Sequence, residues 1–358
     1  MRDLVDKLVK RVALLWALVR AVPWRNVWRA HDRSASVVVW IHHRYPVGWP
    51  TYVLREDTLV KDVALVTALA EAGVRFRFVT GTAIDELRDA TVVYSIHNYN
   101  PDRIPNYSES LMKTLRAAEA RGNTMLPSGD EAEYWENKVF MHRRFDELGV
   151  HAPRTIVLRR GEDVPAGLPA FPLLVKEPHS SGSAGVHRVA DADELAAARA
   201  RHEAAGEDEL LIQELVDMRR DMRVTLVDDE IVHHYFRINT SDEWQPTSTR
   251  RGSVVDFETF PEEWRGHIVE TFARLGLRTG AFDVCWAGDD LTTEPYYLEV
   301  SPAYTPNPPP AAAFRDRPYY EFKKHLWGKD SYPRASVALV FTIHHKVVAG
   351  FGLPGDPR

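Results

Sequence analysis

Apolar residues recur at helical intervals over the first thirty positions: Leu4, Val5, Leu8, Val9, Val12, Leu15, Trp16 and Val19, with Trp24 and Trp28 following Pro23. This spacing predicts an amphipathic helix. From about residue 36 the pattern changes to short β-branched runs alternating with helical stretches. Ser36 to Ile41 reads as a buried parallel strand, and Thr58 to Ala72 as a helix ending at Gly73. Arg75 to Val79, Thr91 to Ser95 and Asn123 to Leu126 read as further strands, with a helix near Ser108 to Arg121 before the last of them. Parallel strands of this kind need helical crossovers, so the expected unit is an open α/β sheet.

Short strands dominate after Ser128, a predicted helix N-cap. A helix spans Asn137 to Leu148 and closes at Gly149. Strands are expected at Arg154 to Leu158, Leu173 to Glu177, Val186 to Ala190 and Leu210 to Leu215, with a helix from Ala192 to His202. Met222 to Val227 and Ile231 to Ile238 flank an acidic turn at Asp228 and Asp229, the signature of a hairpin. A helix at about Glu262 to Leu275 precedes the strands Gly280 to Ala287 and Pro295 to Val300, and a last strand is expected from Ser336 to Thr342. The pattern divides the chain into an N-terminal helix (1–33), an α/β unit (34–127), two parts of an α+β unit (128–216 and 217–330) and a C-terminal strand and tail (331–358).

Length and charge sharpen this outline. A chain of 358 residues exceeds one small core, and 44% hydrophobic with 27% charged residues is the composition of a folded protein. A net charge of −6 argues against nucleic acid as a partner. Residues 1–30 carry +5, leaving −11 for the remainder. The basic helix is too short in its apolar run to span a bilayer and is followed by no small-residue cleavage site. It can lie on a membrane surface, or cover the core or a partner subunit in a homo-oligomer. The single cysteine, Cys285, excludes an internal disulfide, fits a cytoplasmic setting and reads as a packed thiol.

Strand alternation makes the sharpest chemical prediction. Asp283 and Cys285 share one face of their strand, and Glu299 and Ser301 share one face of theirs. If the strands pair, two carboxylates and a hydroxyl converge, a donor set suited to Mg²⁺, which completes its octahedron with water and phosphate oxygens. An isolated acidic pair in strands can equally be a surface feature. Lys176 ends an apolar strand and leads into the small-residue loop Ser180, Ser181, Gly182, Ser183, Ala184 and Gly185. Such a loop lets backbone N–H groups approach phosphate oxygens, although Gly and Ser also make ordinary turns. It is not a P-loop, because the Gly-Lys-Ser/Thr ending is missing.

The order of these features resembles the ATP-grasp superfamily, in the branch of glutamate ligases and glutathione synthetase. Asn137-Lys138 is similar to the element carrying that family's first nucleotide lysine, and Lys176 with residues 180–185 to the second lysine and the phosphate cover. Gln213-Glu214-Leu215-Val216 resembles the linker that meets adenine. Asp221-Met222-Arg223 resembles the Asp-x-Arg element, with Asp221 toward ribose and Arg223 toward phosphate or substrate. Gly280 to Val284 and Leu298 to Pro302 resemble the paired metal-binding strands. Two departures stand out: Ser301 replaces the usual asparagine of the second magnesium site, and Thr249-Arg250-Arg251-Gly252 replaces an Arg-x-Asn segment. Asn307 nearby is a candidate to compensate for that asparagine, though its loop reads more as an ordinary turn.

The resemblance implies an α/β (α+β) protein with the ATP-grasp fold behind an N-terminal open parallel α/β domain, residues 128–216 being the lid. It further implies ATP and Mg²⁺ as cofactors, and phosphorylation of a carboxylate before an amine attacks it. The partners implied are small-molecule or peptide carboxylates and amines. Lys138, Lys176 and Arg223 would offset phosphoryl charge, while Arg237, Arg250 and Arg251 are candidates for gripping the substrate carboxylate. A sugar or small-molecule kinase, and a nucleotide-binding protein without turnover, are the alternatives. The pairs His42-His43, His233-His234 and His344-His345 read as structural, since neighbours on a strand face opposite ways. The strand-end loop Ile41 to Pro46 is a further candidate for acceptor contacts.

Overall fold

The structure is a computed structural model that describes residues 2–42, 56–96, 107–180, 185–326 and 332–353. Two helices, α1 (Arg2–Ala21) and α2 (Trp24–Ala30), open the chain. A parallel sheet follows, with β1 (Val37–Ile41), α3 (Glu56–Glu71), β2 (Phe76–Thr80), β3 (Thr91–Val93), α4 (Tyr107–Glu119) and β4 (Thr124–Leu126). Its strand order is β2-β1-β3-β4, with Val39 opposite both Phe78 and Val93. The β-branched run at Val37, Val38 and Val39 is buried on both faces, as a central strand covered by helices requires.

Ser128 caps α5 (Gly129–Ala132) through a capping box with Glu131, and Asn137 caps α6 (Lys138–Glu147) by accepting from the Phe140 N–H at 3.1 Å. The next sheet is antiparallel and runs β5-β8-β6-β7, from β5 (Thr155–Arg159), β6 (Leu173–Lys176), β7 (Val186–Val189) and β8 (Glu209–Glu214), with α7 (Ala192–Ala204) packed on it. A larger antiparallel sheet runs β11-β10-β9-β12-β13, from β9 (Arg220–Val227), β10 (Glu230–Ile238), β11 (Val254–Asp256), β12 (Thr279–Cys285) and β13 (Tyr296–Ser301). The helix α8 (Arg265–Arg274) covers one face of it, where Met222, Val224, Phe236, Phe282, Val284 and Val300 join Ile268 and Phe272 in a single core. The chain closes with α9 (Tyr319–Leu326) and α10 (Tyr332–Gly350).

The expected strand at Ser336 to Thr342 is instead part of α10. Its β-branched residues suggested a strand, but Val337, Val340, Phe341, His344 and Val348 recur at three- and four-residue intervals. That stripe packs Val337, Val340 and Phe341 against Leu14, Ala17 and Leu18 of α1 and Val60 and Ala64 of α3. Tertiary packing of a long apolar stripe overrides the modest helix penalty of valine and isoleucine. The helix expected at the N-terminus is present, and this same cluster takes up its buried side. Among the described residues, no helix is long and apolar enough to cross a membrane.

Candidate active site

Alternation along β9, β10, β12 and β13 sorts the large sheet into an apolar back and a charged front. In register, Tyr235, Arg223, Asp283 and Glu299 form one row across four strands. Arg237, Asp221 and Cys285 form the next. The expected meeting of Asp283 and Glu299 is therefore present: they are direct partners across β12 and β13.

What the front row does with its charges is more specific. Arg223 donates from Nε and Nη2 to the two carboxylate oxygens of Asp283, each at 2.8 Å. Arg237 donates from Nη2 to Asp283 Oδ2 at 2.8 Å and from Nε to Asp221 Oδ1 at 2.9 Å, with a further bond from Nη2 to Asp221 Oδ2. Two guanidinium groups and two carboxylates thus form a closed, buried network, Asp221 being 2% and Arg237 8% exposed. Burial opposes the charge of Asp283, but Arg223 and then Arg237 overcome it and hold its carboxyl well below the usual range. Burial pushes the Asp221 carboxyl up, against the pull of Arg237. Of the expected substrate-gripping arginines, Arg237 is committed to these acids, while Arg250 and Arg251 are exposed in the turn before β11.

Above this face stand the two lysines. Lys138, the first residue of α6, is buried and donates from Nζ to the Ser180 carbonyl and, at 3.1 Å, to Ser180 Oγ. Lys176 ends β6 with its amine pulled down to about 8, first by burial and next by the nearby charge of Lys138, against the attraction of Glu299. Lys138, Lys176, Asp283 and Glu299 consequently act on one shared space. Gly185 closes the loop beyond Lys176 because a Cβ there would come within 2.6 Å of Glu177 Oε2 and Ser180 Oγ. Ser181, Gly182 and Ser183 lie outside the described residues, as does the expected contact loop beyond His42. Glu214 ends β8, and Leu215 and Val216 lie in the segment crossing from the smaller antiparallel sheet to the larger.

Among the described residues no three of His, Cys, Asp and Glu are grouped to hold a metal ion by themselves. The donors still fit one hard divalent ion. A carboxylate offers about four lone-pair directions, and three of those of Asp283 are used, so Oδ1 keeps one. The Glu299 carboxylate, by contrast, makes no side-chain hydrogen bond or ion pair with the described residues. Two such oxygens suit Mg²⁺, which keeps several waters and binds phosphate. The Ser301 hydroxyl is spent on its own turn, donating to the Ala303 carbonyl at 2.9 Å and accepting from its N–H at 3.2 Å.

No family model and no curated protein sequence matches the chain. Solved structures do. D-alanine–D-alanine ligase from Bacillus anthracis, complexed with ATP, superposes with a TM-score of 0.53 at 15% identity, covering 90% of this chain and 100% of that one. The D-cycloserine synthetase DcsG gives 0.52 at 14% identity over 86% of this chain and 99% of its own. The ATP-grasp ligase PsnB, complexed with a phosphomimetic variant of its minimal precursor, Mg and ADP, gives 0.51 at 15% over 89% and 99%. The chain has the ATP-grasp fold.

Within the ATP-grasp fold of this chain, further polar residues join the site, and of these sequence reasoning missed His142. His142 stands one helical turn beyond Lys138 on α6, a spacing that could have flagged it. Burial and then the charges of Lys176 and Lys138 lower its imidazole to about 3, so it is neutral. Gln213, on β8, lies 3.2 Å from His142 Nε2 and donates to Thr155 Oγ1 at 2.7 Å. Asn307, expected as a turn residue, is 6% exposed and donates to the Tyr235 hydroxyl at 2.7 Å. A small pocket of about 50 Å³ is lined by Lys61, Ser95, Thr279, Pro302, Tyr304 and His344. Cys285 is buried, which raises its thiol far above the reactive range.

Proposed function

We propose that the chain is an ATP-dependent carboxylate–amine ligase that forms an acyl phosphate and releases ADP and phosphate. The observation carrying this reading is the Asp283–Glu299 pair across β12 and β13, facing the space into which Lys138 and Lys176 bring positive charge. ATP lies between the two antiparallel sheets, its phosphates near the two lysines and the loop closed by Gly185. Glu299 and the free lone pair of Asp283 would hold Mg²⁺, which when bound neutralises phosphate charge.

In the first step a substrate carboxylate oxygen attacks the γ-phosphorus, and the bond from phosphorus to the ADP oxygen breaks. An amine then attacks the acyl carbon, inorganic phosphate departs with its oxygen, and the amine gives up a proton to form the amide. Lys138 and Lys176 stabilise charge spread over the transferring group, and positioning supplies much of the remaining rate. Arg223 holds Asp283 ionised and oriented rather than gripping substrate. An amino acid, a peptide or a cell-surface glycan precursor fits this chemistry, and the PsnB structure contains a precursor of its own.

The test is a screen of amino acids, dipeptides and sugar acids for stimulated ADP release, with hydroxylamine present to trap the acyl phosphate. Equimolar ADP, phosphate and an acid-stable amide support the ligase. A stable phosphorylated product would make the chain a kinase, and ATP binding without ADP release would make it a binding protein.

A further inference from the structure

The outer side of α1 and α2 is left open by the packing that buries their inner side. Leu14, Ala17, Leu18 and Val22 are buried against α3 and α10, whereas Val12, Trp16, Val19, Trp24 and Trp28 point outward. Trp16 is 60% and Trp28 74% exposed, and these five supply most of the large apolar side chains exposed among the described residues. Large aromatic side chains are rarely left to water in this density, so the patch calls for a partner.

Its charges say which kind. Residues 12–31 contain Arg20, Arg25 and Arg29 and no Asp or Glu. All three arginines are exposed beside the tryptophans, and the Arg20 guanidinium lies 5.9 Å from the centre of the Trp16 ring. The turn joining the helices is fixed by Trp24 Nε1 donating to the Val19 carbonyl at 2.9 Å, so both helices present their open sides in a defined arrangement. Tryptophan and arginine together suit the headgroup layer of a bilayer, where indole rings sink to the acyl boundary and guanidinium groups meet phosphate. The rest of the chain is acidic, and an anionic surface would repel it while attracting this patch.

We propose that the α1–α2 face, from Val12 to Trp28, docks the protein on the surface of an anionic lipid bilayer. The contact is peripheral, since the helices keep their inner sides in the protein core, and it is independent of the nucleotide chemistry. It would hold the ligase site at a membrane surface, within reach of lipid-linked acceptors.

Sedimentation of the full chain with vesicles tests this, using phosphatidylcholine alone and phosphatidylcholine containing phosphatidylglycerol. Binding to the anionic vesicles should exceed that to neutral ones at least about tenfold and fall with added salt. The variant Trp16→Ser/Trp28→Ser should lose about tenfold or more of this binding, and Arg25→Gln/Arg29→Gln should lose the preference for anionic lipid. Because all four side chains are exposed, both variants should keep the parent's thermal unfolding and ATP affinity, which separates a docking defect from misfolding. Absence of vesicle binding by the full chain, or equal binding by the tryptophan variant, overturns the proposal. So does a parent dimer in light scattering that dissociates in the tryptophan variant while neither protein binds lipid, which would assign the face to a second copy of the chain.

Discussion

Arg223 and Asp283 stand opposite one another on β9 and β12, and two guanidinium nitrogens meet the two carboxylate oxygens at 2.8 Å each. Asp283 therefore serves two masters, a structural ion network and the charged face above it. Asp283→Asn should destabilise the fold by about 3–5 kcal/mol, because it leaves two buried arginines facing one aspartate. Glu299→Gln, one strand over, should change stability by less than about 1 kcal/mol yet lower turnover about a hundredfold. Urea unfolding of both variants, beside their rates of ADP release, checks the contrast.

Lys176 gives the site a pH signature. With its amine near 8 in the free protein and its charge favoured by bound phosphates, nucleotide affinity should weaken as pH rises through that value. Between pH 7 and 9 the Kd for ATP should rise about tenfold, and Lys176→Met should flatten the profile at the weaker level. The sign for stability is opposite. Because the folded amine releases its proton more readily than the unfolded one, this group favours the fold as pH climbs from about 8 toward 10.5. Calorimetric titration of ATP across this range measures the first effect.

The loop beyond Lys176 should be intolerant of even one methyl group. Gly185→Ala would drive a Cβ into Glu177 and Ser180, and Ser180 is the partner of Lys138. The expected cost is about 1–3 kcal/mol in stability, together with a loss of ATP affinity of about tenfold or more. Thermal unfolding with and without ATP separates the two.

Helix α10 offers a test of the fold itself. Ala338→Pro places a proline at an exposed position in the middle of the helix and should cost about 3 kcal/mol or more. Phe341→Ala removes a ring packed on α1 and α3 and should cost about 3–5 kcal/mol. Denaturant midpoints measure both.

Much of this architecture was legible in the residues. The period-two pattern of Phe282, Asp283, Val284 and Cys285 already separated a core face from a polar one, and put Asp283 where it meets Glu299 once the two strands pair, as they do. The two lysines and the small-residue loop were also visible as local features. The partners of Arg237 were not. Nothing in sequence says whether a guanidinium reaches solvent, substrate or an aspartate 16 residues away on a neighbouring strand. His142 was missed for the same reason, and the side-chain partners of Gln213 and Asn307 were equally hidden, since each acquires its role from a different element. Helix α10 was misread because β-branched residues suit strands on propensity, while the stripe that decides the matter gains its meaning from α1 and α3.

The hairpin of β9 and β10 turns at Asp228, whose φ of 51° lies in the left-handed region. A bulge between Ile231 and His233 then shifts the register and sets the phase of the rest of β10. Without that extra residue each side chain beyond it would rotate through the sheet, thrusting the Arg237 guanidinium among Met222 and Phe282 and turning Phe236 out toward the acids. Polar chemistry on one side and oily packing on the other are thus inherited as a unit, and deletion of one residue at this bulge would abolish both at a stroke.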